Sequence, residues 1–225
     1  MTVSAAALGA GLVLAGCSSS PVKLGAAAIT GDQRITQATL DTDVTSLSQA
    51  AKLYPGTVQL SQQQEVQQTL TWLVRFQIND ELARQAGITV STAQVQQALD
   101  QIYSAAKANA QAQGISNVTL KLILVANGIP PNLAEEVGRY QAIDEQFVRQ
   151  ANGGSLPTSS ADQTATTDKL NQARCEAAKG LNIKINPQFG RLNYTQYAVV
   201  TMPSPVSASP GPAKAASQAG LTPAC

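Results

Sequence analysis

The chain contains no histidine. Histidine is the usual general base near neutral pH and the commonest metal ligand. Its absence excludes Ser-His-Asp and Cys-His catalysis. A zinc site would have to be built from Cys and carboxylate ligands alone, and no such cluster occurs, so no metal and no cofactor are expected. Aromatics are scarce, at 4% of residues with a single Trp. Net charge is nearly absent, at +1, so neither a nucleic-acid partner nor electrostatic adhesion to a membrane is expected. Beyond the first sixteen residues there is no apolar run of the roughly 20 residues that span a bilayer. What the chain has in quantity is Ala, Gln, Ser and Thr. A core drawn from Leu, Ile, Val and Ala suits helices.

Cysteine is also scarce, with three in all: Cys17, Cys175 and Cys225. Residues 1–16 are mostly Ala, Gly, Leu and Val, too short to span a bilayer but fit for the apolar region of a secretory signal. The run Leu14-Ala15-Gly16-Cys17, followed by Ser18-Ser19-Ser20, resembles the bacterial lipobox. That resemblance implies cleavage before Cys17 and a diacylglycerol on its thiol. The protein would then be lipid-anchored at the extracytoplasmic face of the cell membrane, where two acyl chains suffice for stable anchoring. No Lys or Arg precedes the apolar run and the first basic residue is Lys23, so the start codon is expected upstream. The alternatives are an ordinary secretory signal or a fortuitous apolar N-terminus. After Cys17, the pair Cys175 and Cys225 reads as a disulfide in an exported chain. The bridge would close a loop of about 50 residues, contributing about 4 kcal/mol in the chain-entropy model. The alternative is two free thiols.

Residues 17–25 form a linker from the lipidated Cys17. In Ala26 to Thr36, Ile29 and Ile35 flank Gly31-Asp32, predicting a short strand, a turn, then a helix start at Thr36. Leu40, Val44, Leu47 and Ala51 share one helical face, and Tyr54-Pro55-Gly56 ends that helix. Ser61 with Gln64 makes a capping box ahead of a long helix striped by Val66, Leu70, Leu73, Val74, Ile78 and Leu82, closed by Gly87. Ser91 with Gln94 opens a second capped helix running to about Gln113. Val118 to Asn127 is a short apolar helix. Asn132 with Glu135 starts another, and Asp162 to Gly180 is weakly helical. Leu181, Ile183 and Ile185 alternate as a strand. Residues 202–225 form a Pro/Ala/Ser-rich tail expected to be disordered. The expected fold is mainly α, a single helical domain over residues 26–201, with the strand near Ile29 paired to the strand near Ile183.

This pattern resembles the N-terminal domain of SurA and PrsA, extracytoplasmic foldases and chaperones. Three stretches carry the resemblance. They are the opening AAAITGDQRITQATLD, the central TLTWLVRFQINDELARQAGITVSTAQVQQAL from Thr69 to Leu99, and the closing INPQFGRLN, Ile185 to Asn193. In that family a parvulin prolyl isomerase domain commonly sits before the closing strand. Here the corresponding interval, Asn152 to Leu181, is a loop and one helix, and the histidines on which the isomerase relies are absent. The resemblance therefore implies the chaperone module without the isomerase, a protein that is not an enzyme. Its partners would be unfolded or exported polypeptides.

Such a module needs an apolar groove. The candidates are Trp72, Phe76, Tyr103 and Tyr140, with Leu122 and Leu124. Trp72 and Phe76 lie beside the main helical stripe; the alternative is that all of these residues belong to the core. Arg75, Asp80, Glu81 and Arg84 read as a solvated face with Glu81–Arg84 and Asp80–Arg84 pairs. Glu135-Glu136 and Asp144-Glu145 read as ordinary helical surface. A second functional reading is a structural lipoprotein with one dedicated cell-envelope partner.

Overall fold

The computed structural model describes residues 25–56 and 59–202. The expected leader, Cys17, nearly all of the expected linker, Cys225 and the expected tail from residue 203 lie outside the described residues. The chain is mainly helical, with two small antiparallel sheets.

Strands β1 (Ala26–Thr30) and β2 (Gln33–Thr36) form a hairpin. Thr30 pairs with Gln33 across Gly31-Asp32, with Gly31 at φ 60°. The stretch ahead of the first helix is thus a second strand, where the sequence suggested only a turn. Ile35 faces the core, and the polar neighbours Gln33 and Arg34 are exposed. Thr36 then caps α1 (Gln37–Ala51), its hydroxyl accepting the Thr39 N–H at 3.0 Å. Near the other end of the domain β3 (Lys184–Ile185) pairs antiparallel with β1, Ala28 opposite Ile185. Strand β1 is therefore central, and Ala26, Ala27 and Ala28 are fully buried. The expected pairing of the two ends of the domain forms. A further hairpin, β4 (Arg191–Asn193) with β5 (Ala198–Val200), was not foreseen.

The axis of the molecule is α2 (Gln62–Ala86), which touches α1, α5, α6, β1 and β5. Both halves of its capping box form. Ser61 Oγ accepts the Gln64 N–H at 3.3 Å, and Gln64 Oε1 accepts the Ser61 N–H at 2.9 Å. At the other end Gly87 takes the left-handed conformation, φ 65°, and the Ile88 N–H reaches the Ala83 carbonyl at 2.8 Å. That closure satisfies carbonyls that would otherwise be orphaned. Leu70, Val74, Ile78 and Leu82 are all buried in the main core with Leu40, Ile143, Leu170, Ile183 and Val199. Burying each such side chain contributes about 1.5–3 kcal/mol.

Helix α3 (Thr92–Ala112) carries its own capping box at Ser91 and Gln94, and α4 (Leu120–Ala126) is capped by Thr119. Helix α5 (Ala134–Ala151) packs along α3, with Gly138 at the crossing. The Asn132–Glu135 cap expected for α5 does not form. A short 3-10 turn, Pro131–Leu133, precedes the helix, and Asn132 Nδ2 instead donates to Asp43 of α1 at 2.6 Å. A buried carboxylate in need of a donor outcompetes a local cap. Helix α6 (Ser160–Gly180), only weakly patterned in sequence, lies against α2 and α5.

Candidate functional site

The four aromatic candidates part company in the fold. Trp72 and Phe76, one turn apart on α2, meet Tyr140 of α5. Ring centroids lie 5.8 Å apart for Trp72–Phe76 and 6.1 Å for each tyrosine contact, both edge-on. Such tilted and edge-to-face contacts are the favoured aromatic geometries. Tyr103 stands apart on α3, its hydroxyl donating to the Val118 carbonyl at 3.4 Å and Lys107 set over its ring.

Phe76 lies beside the main stripe, as expected, but it is buried, so the core alternative holds for it and it is not free to bind. It belongs to a second apolar cluster with Leu124, Ile129, Leu133 and Val137, separate from the main core. The cluster exists because α2 is apolar on two sides. One side packs in the main core with α1, α5, α6 and the strands, and the other carries Trp72 and Phe76 into the second cluster with Leu124, Leu133 and Val137. Trp72, Ile102, Leu120 and Tyr140 pack against this second cluster while each keeps part of its surface exposed. Leu124 is core and Leu122 half-buried. The surface presented is therefore an aromatic and aliphatic rim around a packed floor.

Charges bound this rim in ways the sequence hid. Arg75 lies over the Trp72 ring at 5.1 Å and turns to the β4–β5 loop, donating through Nε to the Tyr197 carbonyl at 3.1 Å and through Nη2 to the Gln196 carbonyl at 3.0 Å. It is not part of a solvated face. Asp80 pairs with Arg139 of α5 at 2.8 Å rather than with Arg84, while the Glu81–Arg84 pair forms at 2.6 Å. Asp144, read as surface, is largely buried and paired with Arg174 of α6. Burial pushes its carboxyl above the ordinary range, against the pull of Arg174 and the Asn79 amide. Asn79 is itself buried on α2 and donates to the Tyr140 carbonyl at 3.0 Å. A signal for Asp144 was present in the sequence. It stands four residues after Tyr140 and three before Phe147, within the apolar stripe of α5. Only the partner helix could reveal why a charge belongs there.

Among the described residues no group of three or more Cys, Asp or Glu is arranged to hold a metal ion. No helix among them is long and apolar enough to cross a membrane. Cys175 is buried on α6, and its expected bridge to Cys225 falls outside the described residues. Comparison with family models, with curated proteins and with solved structures found no match to this chain.

Proposed function

We propose that the protein is a membrane-anchored, extracytoplasmic chaperone-like lipoprotein. It holds unfolded or exported polypeptide segments on the aromatic rim and does not catalyse prolyl isomerisation. The observation that carries the reading is the second apolar cluster, whose rim of Trp72, Ile102, Leu120 and Tyr140 stays partly exposed. A partly exposed apolar rim over a packed floor suits extended chains of varied sequence, because apolar contact is non-directional and asks for no fixed charge pattern. The resemblance to the SurA and PrsA chaperone module supports it. So does the interval 152–181, occupied by a loop and α6 where that family commonly inserts its isomerase. The lipid on Cys17 would hold this surface close to the membrane as chains emerge.

The test is light scattering of a chemically unfolded, aggregation-prone client diluted with and without the soluble Cys17→Ser form starting at that residue. Suppression at near-stoichiometric ratios, weakened by Trp72→Ala, is the expected result. No suppression across several unrelated clients would refute the reading and favour a single dedicated envelope partner, to be sought by crosslinking on the membrane.

A further inference from the structure

A cavity of about 340 Å³ lies between α2, α5, α6 and the β4–β5 loop. Two arginines, Arg75 and Arg174, line it, together with Tyr140, Tyr197, Asn171 and Gln196. Their charges do not cancel. Arg174 is paired with Asp144 through Nη2, whereas Arg75 has no carboxylate partner among the described residues and its hydrogen bonds go to carbonyl oxygens. The cavity therefore carries one uncompensated positive charge.

Its donors are likewise only partly used. A guanidinium offers five N–H donors in a rigid fork. Arg75 spends one on the Tyr197 carbonyl and one on the Gln196 carbonyl. Those two bonds, and the Trp72 ring at 5.1 Å, hold the group in place with three N–H donors left over. The Arg174 guanidinium lies 5.0 Å over the Tyr140 ring, and its Nε is buried without a partner among the described residues. The Tyr140 hydroxyl makes no hydrogen bond there either, while that of Tyr197 reaches the Asn171 carbonyl at 3.4 Å. A half-buried arginine left unneutralised and pre-positioned is poorly explained as packing, because an uncompensated charge taken out of water costs stability. It is well explained as one half of a pair completed by a ligand.

We propose that this cavity is a carboxylate-binding site, in which a monoanionic carboxylate takes the spare N–H donors of Arg75 and the hydroxyl of Tyr140. One uncompensated charge matches a monoanion and would be exceeded by a phosphate dianion. The site shares Tyr140 with the apolar rim and adjoins Trp72, but its chemistry does not depend on the polypeptide-holding reading. A carboxylate can come from a chain end or from an acidic side chain, and the test separates the two.

Trp72 is the chain's single tryptophan and lies against Arg75, so its fluorescence reports on the site. The protein is titrated with acetate, and with acetamide as the neutral isostere, at constant ionic strength in chloride, with calorimetry in parallel. A saturable response to acetate and none to acetamide is expected. N-acetyl-trialanine then presents a chain-end carboxylate, and N-acetylglutamic acid α-amide a side-chain one; tighter binding by either names the source. Arg75→Gln should abolish the response. Arg75 also anchors the β4–β5 loop, so Asn171→Asp provides a second variant on an exposed position of α6. It sets a carboxylate at the cavity rim and should weaken acetate binding about tenfold or more through like-charge repulsion. The proposal is overturned if acetate shows no saturable binding, if acetamide binds equally, if inorganic phosphate binds and acetate does not, or if folded Asn171→Asp binds acetate unchanged.

Discussion

Gly138 sets how closely α3 and α5 approach, and replacing it with alanine brings two effects of known size into opposition. Gly to Ala in a helix interior gains about 1 kcal/mol of intrinsic propensity. In this fold, however, the added Cβ would stand 2.7 Å from Leu99 Cγ, 2.8 Å from the Val95 carbonyl oxygen and 3.0 Å from Val95 Cγ1. Ordinary contact begins at 3.4 Å, so α3 must withdraw by about 0.6 Å from the carbonyl, 3.4 − 2.8. The leucine can change rotamer, but the carbonyl belongs to helix backbone and moves only with α3. Overpacking of this kind costs about 1–3 kcal/mol. The steric cost outweighs the propensity gain, and Gly138→Ala should destabilise the protein by about 1 kcal/mol, a fall in Tm of about 2–4 °C for a chain of this size. Urea denaturation is the assay, with the midpoint lowered and the slope unchanged. Adding Leu99→Ala relieves one of the contacts, so the two substitutions should couple by at least about 0.5 kcal/mol in a double-mutant cycle. A Gly138→Ala protein more stable than the parent by about 1 kcal/mol, or strictly additive with Leu99→Ala, would refute the close-approach argument.

Ser61→Ala removes the acceptor that holds the Gln64 N–H at the start of α2 and should cost about 1 kcal/mol in the same denaturation assay; an unchanged midpoint would mean the cap contributes nothing. Burial holds the Asp43 carboxyl above its ordinary 3.8, against the pull of Asn132. Between 3.8 and that raised value the folded state binds more protons than the unfolded state. This group's contribution to stability therefore grows as pH falls through that window, and Asp43→Asn should flatten that part of the stability–pH curve; an unaltered profile would refute the assignment. For the proposed Cys175–Cys225 bridge, free-thiol counting on a non-reduced Cys17→Ser form starting at that residue should find none, and two reactive thiols would refute it.

The helices were legible because their signals are local. The capping boxes at Ser61 and Ser91, the left-handed Gly87 and the spacing of Leu70, Val74, Ile78 and Leu82 are set by hydrogen bonds and periodicity within a few residues. The pairing of β1 with β3 was legible for a different reason, since a short strand needs a partner and only two strand-like stretches stood out. The hairpins were missed because their strands are three to five residues long, too short for period two to emerge from noise. The β4–β5 turn is closed by Asn193, whose Oδ1 accepts the N–H groups of Thr195 and Gln196, a signal one residue long. For the candidate rim, the sequence offered Trp72, Phe76, Tyr103 and Tyr140 and singled out Trp72 and Phe76 as lying beside the main stripe of α2. Packing buried Phe76, joined Trp72 to Tyr140 and set Tyr103 elsewhere.

Composition and local pattern alone determined a mainly helical chain, the ends of α2 and the start of α3, and the exclusion of histidine chemistry. Only the tertiary structure decided the fate of the charges. Asp144 and Arg174 are thirty residues apart and meet across α5 and α6, the Asn132 side chain goes to Asp43 of α1 instead of capping α5, and Arg75 turns from the surface to the carbonyls of a loop more than a hundred residues away. A helix cap is satisfied by its nearest neighbours, so its partner is written beside it. A buried charge is satisfied by whichever element the fold lays against it, and that choice is made by the packing of α2 against everything around it.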